Sequence, residues 1–412
     1  MPPIVLMLLT NAYDPDPRVR QEALALLRAG WKVHLLAWDR DCKAPAAERL
    51  EGMDVERVFL PSTHGRGTTQ ILFYALLYWK LLWRGWKRQF DVVHCHDMDT
   101  LPVGFLLGKL KRKPIVYDAH ESFPDMLHGS VPNVVRRGLT WLENFLIKRV
   151  QLLITVGERL RRHFVSRGAR NAVVVGNWKR TADYSRSEAE NRAFRERLGV
   201  PERALLVVCI TQLLADRKIE ELLQAVERCP EIYAVIGGKG RLQGVVEGWA
   251  AKSSRVIYAG FVAGKDIPAY TCAADAIYYG FDPDNPNARF SAPNKLFEAL
   301  AAGRPLITGD FGEIAEVVRE AYCGIVLARY GVAEIENALR SLQDVKVRAL
   351  LSANAKRFGQ VNMNWETGEK ILCSAYAAML RRCPAIVDLP KEETEVKTGD
   401  GGPTKSDLLV PK

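Results

Sequence analysis

The chain has 412 residues, of which 48% are hydrophobic and 26% are charged. This composition is typical of globular proteins and excludes collagen-like, low-complexity and fully disordered chains. The length predicts about two domains, and the formal net charge of +10 indicates an anionic partner. The excess charge is uneven, because residues 1–172 hold 26 Lys and Arg against 17 Asp and Glu.

The first residues predict a buried strand over Ile4–Thr10 rather than a secretory signal, since no basic segment precedes the short apolar run. The longest apolar stretch, Ile71–Trp79, is far shorter than the roughly 20 residues that span a bilayer. The eight cysteines are scattered without a CxxC pair, which disfavours a disulfide framework or a structural zinc site. These features predict a cytoplasmic protein.

Apolar runs of strand length alternate with amphipathic helical segments along the whole chain. The strands predicted in the first half are Ile4–Thr10, Lys32–Ala37, Val55–Leu60, Val92–His96, Pro114–Asp118, Leu152–Val156 and Val173–Val175. A polar, charged stretch follows Asn177, and the strands predicted after it are Leu205–Thr211, Ile232–Ile236, Arg255–Tyr258, Ala276–Tyr279, Leu306–Thr308 and Gly324–Leu327. This alternation predicts an α/β fold with parallel sheets covered on both faces.

The simplest arrangement is two tandem, doubly wound, Rossmann-like domains that face a cleft. We predict a first domain over residues 1–178, a second over 179–364, a last helix over 365–382 and a disordered tail over 383–412. Ligands of open parallel sheets bind beyond the carboxyl ends of the strands. The polar residues that follow each strand are therefore the candidate site residues.

The loop after the first strand contains Asn11, Asp16, Pro17 and Arg18. Asp16 is predicted to cap the following helix, and Pro17 suits its first turn. Either this loop covers a substrate at the cleft, or it is a stiff capped turn without a ligand.

Two neighbouring strand ends concentrate histidine and carboxylate side chains. One strand ends in His94 and His96, and the next ends in Asp118, His120 and Glu121. Three interpretations stay open: a metal site built from the three histidines, buried histidines without a catalytic role, or an active site in which an imidazole donates to a sugar hydroxyl or a leaving oxygen. No further fixed ligand pattern appears, so no metal is predicted.

Two weaker signals in the second half fit a phosphate-bearing ligand. Arg217 and Lys218 lie at a strand–helix junction, where two cations suit a pyrophosphate. Gly238 belongs to a Gly-Gly-Lys-Gly turn after the next strand, which lets the backbone approach a ligand closely.

The strongest signal is a helix predicted to begin near Ser291. Its free N–H groups and Lys295 would face the cleft and bind phosphate. Glu298, one turn after Asn294, would accept from ribose hydroxyls. With the Gly309–Glu313 turn that follows the next strand, these elements describe a nucleotide diphosphate pocket.

The chain resembles the retaining family-four glycosyltransferases of the GT-B fold, over roughly residues 3–380. The pieces that carry the resemblance are NAYDPDPRVRQEA, DVVHCHDMDTLP, PIVYDAHESFPD, LADRKIEEL, VIGGKG, SAPNKLFEALAAGRPLIT and FGEIAEVV. The resemblance implies a nucleotide-sugar donor held mainly by the C-terminal domain and an acceptor on the N-terminal domain. It also implies a last helix that crosses back to pack on the first domain.

The resemblance also implies roles for individual residues. His120 matches the histidine that contacts the transferred sugar, Arg217 matches a basic residue on the donor diphosphate, and Glu298 matches the second Glu of an E-x7-E motif, on the ribose. Asp118 and Glu313 are further polar contacts expected at the sugar.

The chain departs from the family pattern at several positions. Phe290 replaces the first Glu of E-x7-E, Thr211 and Gln212 replace a Gly and a frequent Arg, and Lys218 replaces a Gly. We expect Lys295 to supply the cation that is lost at Gln212. The departures leave open a catalytically degenerate GT-B nucleotide-binding or scaffold protein. A further alternative is a soluble sugar-nucleotide enzyme, which would not bind a membrane.

Residues 69–88 predict a helix with a stripe of cations and a stripe of tryptophans beside it. The stripes are Lys80, Arg84, Lys87 and Arg88, and Trp79, Trp83 and Trp86. Cations flanked by tryptophan suit the headgroup level of an anionic membrane. The alternative is a core helix whose tryptophans pack on the sheet and whose cations are solvated. No nucleic-acid-binding module is recognisable, so nucleic acid is not expected as a partner.

The sequence therefore predicts a retaining glycosyltransferase that is cytoplasmic and peripheral on the inner face of the cell membrane. It would move a sugar from a nucleoside-diphosphate sugar to a lipid-linked, glycolipid or saccharide acceptor in glycan or polysaccharide biosynthesis, without a cofactor or essential metal. The candidate catalytic residues are His120, Asp118 and Glu121. The candidate acceptor contacts are Asn11, Asp16, Arg18 and His96.

Overall fold

The computed structural model of the chain describes residues 1–14, 16–62, 69–127, 131–282, 285–290 and 292–382. The tail predicted over 383–412 and the helix start predicted near Ser291 lie outside these residues.

The first half forms a sheet of eight strands, β1 to β8. In chain order they span Ile4–Leu9, Lys32–Asp39, Ala47–Leu50, Met53–Phe59, Val92–His96, Ile115–Ala119, Leu152–Thr155 and Ala172–Val174. Across the sheet the order is β3-β4-β2-β1-β5-β6-β7-β8, and the described strands pair in parallel except for β3. Strand β3 was not predicted. It joins β4 through Glu51 and Gly52, whose φ angles of 49° and 91° are typical of a tight hairpin turn.

The second half forms a parallel sheet of six strands, β9 to β14. They span Leu205–Ile210, Ile232–Gly237, Val256–Tyr258, Ala276–Tyr279, Leu306–Gly309 and Gly324–Leu327. The order across this sheet is β11-β10-β9-β12-β13-β14. Both sheets agree with the predicted doubly wound α/β architecture.

Helices cover both faces of each sheet. Helices α1 to α6 are Pro17–Arg28, Thr69–Lys87, Leu101–Lys111, Phe123–Met126, Asn133–Ile147 and Glu158–Ser166. Helices α7 to α14 are Glu188–Arg197, Ile219–Glu227, Gln243–Lys252, Ile267–Ala273, Asn294–Ala302, Gly312–Glu320, Val332–Ser341 and Val345–Val361, and α15 is Trp365–Arg382.

Side-chain alternation along β1 shows how the first core is divided. Leu6 and Leu8 pack with α2 and α3 on one face, whereas Val5 and Met7 pack with α1 and α15 on the other. The chain passes from α14 back to the first domain beside a backbone bridge between Lys179 and Asn364. Helix α15 therefore forms part of the first domain's core although it comes last in the sequence.

Candidate active site

His120 follows β6 and lies between two carboxylates. Its Nδ1 is 3.0 Å from an oxygen of Asp97, and its Nε2 is 2.7 Å from an oxygen of Asp118. Asp97 follows β5 with φ of 64°, a left-handed conformation that aspartate tolerates and that recurs at functional sites. Both ring nitrogens are thus engaged, so donation to a sugar requires one carboxylate bond to be exchanged.

The surroundings of His120 favour its charged form. Burial alone would lower the pKa of His120, but Asp97 and Asp118 raise this pKa well above its ordinary value. Burial would raise the pKa of Asp118, but Arg18 and His120 hold it well below its ordinary value. An imidazolium between two carboxylates therefore stands at the carboxyl edge of the first sheet.

Arg18 orients Asp118 from the opposite side. Its Nε donates to Asp118 at 2.9 Å, Nη2 donates to the second carboxylate oxygen, and Nη1 donates to the backbone carbonyl of Val175 at 2.7 Å. Asp16 caps α1 by accepting from the backbone N–H of Arg18, as predicted, while the side chain of Asn11 donates to Asp16.

The structure alters two of the expected acceptor contacts. Arg18 is buried, and His96 has no exposed surface; Nδ1 of His96 lies 3.1 Å from Asp118. Both side chains support Asp118 from behind, so the expectation that they touch an acceptor is wrong. Asn11 and Asp16 retain exposed surface, and Glu121 is half-buried beside His120.

Among the described residues, one buried group has the side-chain types of a metal site: Glu22, His94, His96 and Asp118. The guanidinium of Arg18 already places a positive charge at this position. Its Nη2 lies 3.0 Å from Glu22, and the same group pairs with Asp118. The rings of His94 and His96 stack at 4.4 Å with an angle of 20° between their planes, so one ion cannot lie close to both planes. The geometry favours a hydrogen-bonded network over a metal centre.

In the second domain, Arg217 lies after β9 and is held among aromatic rings. Its Nη1 donates to the hydroxyl of Tyr279 at 2.8 Å, and its guanidinium carbon is 4.2 Å from the ring centre of Phe281. Lys218 has a left-handed φ of 51° at the start of α8 and lies 3.2 Å from Asp282. Arg217 is thus held by aromatic rings and by Asp216, whose carboxylate is 3.6 Å from its Nε, whereas Lys218 is held by Asp282.

Helix α11 begins at Asn294, after the extended Pro293. Lys295 forms a close ion pair with Glu298, one turn further on, and both side chains are nearly buried. Asn294 accepts from Nζ of Lys179, in the segment between the domains, at 2.8 Å. The cation and the carboxylate expected at phosphate and ribose are thus paired with each other in the free protein.

Gly238 has a structural requirement that differs from the expected approach to a ligand. Its φ is 135°, and a Cβ there would lie 1.8 Å from the carbonyl oxygen of Thr211. Close contact with the neighbouring backbone therefore accounts for this glycine.

Glu313, an expected sugar contact, is engaged by the first domain in the structure. Its carboxylate accepts from the backbone N–H groups of Glu158 and Arg159, at the start of α6 in the first domain. Burial raises the pKa of Glu313, against the effect of these two bonds. The expected contact with the sugar is replaced by a contact between domains.

A cavity of about 790 Å³ lies beside this contact, between α6 and the segment that precedes α11. Phe290 lines it and packs against His163 of the first domain, with ring centres 4.5 Å apart. Arg159 and Arg162 of α6 pair with Glu316 of α12 across the same interface. Sequence reasoning missed all of these partners, because each pair joins two segments that are distant along the chain.

Two family models match the chain in turn. The model described as Glycosyltransferase Family 4 matches residues 18–178, and the model described as Glycosyl transferases group 1 matches residues 204–344. The chain belongs to the family-four glycosyltransferases. It is an enzyme of this class, as the sequence predicted.

Curated relatives resemble the glycosyltransferase over most of its length. An uncharacterized glycosyltransferase of Methanocaldococcus jannaschii is 25% identical over 370 residues, which are 86% of this chain and 91% of the relative. The alpha-monoglucosyldiacylglycerol synthase of Acholeplasma laidlawii is 21% identical over 331 residues, 76% of this chain and 79% of the relative.

Solved structures show the fold. Sucrose-phosphate synthase from Thermosynechococcus elongatus aligns with a TM-score of 0.74 and 17% identity, over 93% of this chain and 100% of that one. Anabaena HepE, solved in complex with UDP-glucose, aligns with a TM-score of 0.67 and 18% identity, over 91% and 99% of the two chains. The glycosyltransferase therefore has the GT-B fold.

Helix α2 of the glycosyltransferase presents its tryptophans to solvent. Trp79, Trp83 and Trp86 are 58%, 45% and 50% exposed, so the alternative that they pack on the sheet is wrong. Trp79 stacks on Trp83, and Nζ of Lys87 lies 3.4 Å from the ring centre of Trp83. We call this surface, with Lys80, Arg84 and Arg88, the tryptophan face.

Neighbouring helices extend the tryptophan face. Leu106 and Leu110 of α3, which packs on α2, are about half exposed or more. Trp141 of α5, which contacts α3, is 68% exposed. Among the described helices, none combines the length and apolar character that crossing a bilayer requires.

The cations of the tryptophan face are partly neutralised. Arg84 and Arg88 both pair with Glu56 of β4, and Nζ of Lys80 donates to the backbone carbonyl of Phe59 at 3.1 Å. The sequence showed the stripe of cations but not the carboxylate beneath it.

Proposed function

We propose that the glycosyltransferase transfers a sugar, with retention of its anomeric configuration, from a nucleoside-diphosphate sugar to a lipid-linked or glycolipid acceptor. The reaction takes place at the anionic inner surface of the cell membrane and serves glycan or polysaccharide synthesis. The observation that carries the acceptor class is the tryptophan face on the first domain.

The donor site is proposed at the carboxyl edge of the second sheet. Arg217 and the free N–H groups at the start of α11 supply positive charge for a diphosphate. When ribose hydroxyls donate to Glu298, Lys295 is released from its ion pair and turns to the phosphates. The UDP-glucose named for Anabaena HepE supports a donor of this class.

The proposed chemistry needs no general base from the protein. The acceptor oxygen forms a bond to C1 of the sugar, the bond from C1 to the diphosphate oxygen breaks, and the acceptor proton passes to that leaving oxygen. Arg217, Lys295 and the α11 amides stabilise the departing diphosphate. His120 and Glu121 contact the transferred sugar from the opposite domain, and the buried Asp118 holds Nε2 of His120.

The acceptor is proposed to reach the cleft from a membrane on which the first domain lies. Exposed tryptophans take up the interfacial level of a bilayer, and lysine and arginine beside them meet anionic headgroups. The name of the Acholeplasma laidlawii relative, which refers to a diacylglycerol product, supports a lipid acceptor.

We also propose that transfer needs no bound metal ion, because protein cations and helix amides neutralise the diphosphate. Turnover should be unchanged after dialysis against EDTA. Loss of turnover that Mg²⁺ restores would contradict this part of the proposal.

A donor screen tests the central proposal. Purified protein is mixed with single nucleoside diphosphates, and one of them should raise the melting temperature. The matching nucleotide sugars are then tested for transfer to polyprenyl-phosphate-linked sugars or to diacylglycerol in vesicles, and free oligosaccharides are the comparison acceptors. The anomeric configuration of the product is assigned by NMR. Glu298→Ala and His120→Ala should abolish transfer, whereas wild-type turnover in both variants, or an inverted product, would refute the site or the mechanism.

A further inference from the structure

We propose that Tyr376, on the crossover helix α15, is a positioning residue for His120 that acts through a buried chain of polar side chains. The chain runs in the order Tyr376, His94, Glu22, Arg18, Asp118 and His120. The inference rests on the proposed role of His120 in transfer, and it adds a part of the active site contributed by the last helix.

The first link joins α15 to β5. The hydroxyl oxygen of Tyr376 lies 2.7 Å from Nδ1 of His94, and both side chains are buried. The Tyr376 ring also packs edge-on against Trp31, with ring centres 5.2 Å apart. Packing thus fixes the Tyr376 ring independently of its hydroxyl, and the hydroxyl hydrogen-bonds with His94.

The middle links pass through Glu22 on α1. One oxygen of Glu22 is 3.6 Å from Nε2 of His94, and the other is 3.0 Å from Nη2 of Arg18. Within the described residues, neither oxygen accepts a hydrogen bond of normal geometry. Glu22 is therefore held by the charge of Arg18, and it faces the ring that Tyr376 orients at a distance longer than a hydrogen bond.

The last links reach the active site. The guanidinium of Arg18 donates to both carboxylate oxygens of Asp118. One of these oxygens also lies 2.7 Å from Nε2 of His120. A second route runs in parallel, since the ring of His94 stacks on His96, which lies 3.1 Å from Asp118. A change at His94 thus reaches Asp118 by two paths.

Two proton arrangements are compatible with the distances along this chain. In the first, Tyr376 donates to Nδ1 of His94, and the Nε2–H group points at an ionised Glu22 that pairs with Arg18. In the second, a protonated Glu22 faces an unprotonated Nε2 across the same 3.6 Å, His94 donates to the Tyr376 oxygen, and Arg18 loses one counter-charge. Because Tyr376 completes both arrangements, its loss leaves a buried ring nitrogen unpaired.

The electrostatics allow exchange between these arrangements near neutral pH. Burial, and then the charge of Asp118, raise the pKa of Glu22 to about 7. Burial and the neighbouring His96 keep the pKa of His94 well below its ordinary value, so this ring stays neutral. The titratable and charged groups around Glu22 come from four parts of the fold: Arg18 on α1, His94 and His96 on β5, Asp118 on β6 with His120 just after it, and Tyr376 on α15.

Tyr376→Phe tests the proposal, because it removes the hydroxyl and keeps the ring. We expect kcat to fall about tenfold, as the loss of one buried hydrogen bond implies, while KM for the donor stays within about twofold, with a changed pH profile of kcat. The donor is the nucleotide sugar that gives turnover in the screen above. Met379→Leu is the matched control, since Met379 is buried one turn further along α15 and the swap conserves volume.

A second readout needs no substrate. Histidine ring signals are followed by NMR through a pH titration, and Tyr376→Phe should shift the signals of His94 and also of His120. The control should shift neither. Because this titration involves no donor, an error in the proposed function would leave its result intact.

Two outcomes would overturn the proposal. One is a shift of the His94 signal with His120 and kcat unchanged, which would reduce Tyr376 to a partner of His94 alone. The other outcome applies if Tyr376→Phe does not fold. Glu22→Gln then interrupts the same chain of side chains. An unchanged titration of His120 in that variant would refute the connection between Tyr376 and His120.

Discussion

The carboxylate of Glu313, in the second domain, accepts a hydrogen bond at 2.9 Å from the backbone N–H of Glu158 in the first domain. It accepts a second one from Arg159 at 3.0 Å. Helix α6 begins after Gly157, which has no side chain to cap it, so a residue of the other domain serves as the cap. A Cβ on Gly157 would lie 2.1 Å from that carboxylate, which explains the glycine.

Replacing Glu313 with Gln should loosen the contact between the domains. The amide retains one acceptor oxygen but brings an NH₂ group against a backbone N–H, which costs about 1 kcal/mol for the lost cap. We expect a larger radius of gyration by small-angle X-ray scattering and faster hydrogen exchange at Glu158 and Arg159. Glu320→Gln, an exposed position on the same helix, should change neither; an unchanged radius in Glu313→Gln would contradict the prediction.

Replacing Gly238 with Ala should destabilise the second domain. The left-handed φ alone costs about 1–3 kcal/mol, and the new Cβ collides with the carbonyl of Thr211. Urea unfolding should show the loss. Gly244→Ala is the control, because Gly244 lies exposed in α9 with open space around it and should gain up to about 1 kcal/mol. Equal stability of the two variants would count against the packing account of Gly238.

The contribution of His120 to stability should depend on pH in a defined direction. Its pKa is raised in the folded protein, so the stabilisation is fully present below the ordinary histidine pKa and disappears as pH rises through the raised value. We expect the difference in unfolding free energy between wild type and His120→Gln to be larger in mildly acidic than in alkaline buffer. A difference that grows with pH would show that the ring is neutral in the folded state.

Removing the charge of Glu56 should strengthen binding to an anionic membrane. Glu56→Gln frees Arg84 and Arg88 from their ion pairs and adds one net positive charge to the tryptophan face. One charge near the surface is worth about 1 kcal/mol, or about fivefold in affinity. Co-sedimentation of the protein with vesicles of phosphatidylglycerol and phosphatidylcholine measures this change in affinity.

Two controls accompany this measurement. Glu320→Gln makes the same change of charge on the second domain and should have no effect, and vesicles of pure phosphatidylcholine should not distinguish the variants. Binding that stays the same in Glu56→Gln, or that is absent in the parent protein, would mean that the tryptophan face does not meet anionic lipid.

The strands and their polar ends could be predicted because apolar periodicity is local. Strands β5 and β6 end at His96 and just after Asp118, and both strand ends could be read from the sequence. Because the two strands pair in parallel, these residues and His120 lie together at one edge of the sheet. Partners that are distant along the chain left no such signal. Arg18 contacts Asp118 across 100 residues of sequence, and Glu313 contacts Glu158 across 155. Arg18 and Glu313 were both predicted to contact a ligand, but in the structure Arg18 holds Asp118 and Glu313 holds the start of α6.

Some local features were also missed. Strand β3 has two charged residues among its four and depends on the Glu51-Gly52 turn to pair with β4, so periodicity alone did not reveal it. The stripes on α2 were visible in the sequence, but whether tryptophans face solvent depends on how the helix rotates against the sheet. A helical pattern fixes which residues share a face, and packing decides where that face points.

Helix α15 has a consequence for how the chain is made. Its residues Trp365, Leu372, Tyr376 and Met379 belong to the same core as the first strand. A ribosome adds about 5–20 residues per second, so the apolar face of the first domain stays uncovered while the whole second domain is synthesised. The domain translated first is therefore completed last, and a nascent chain that stops before Trp365 would expose this face.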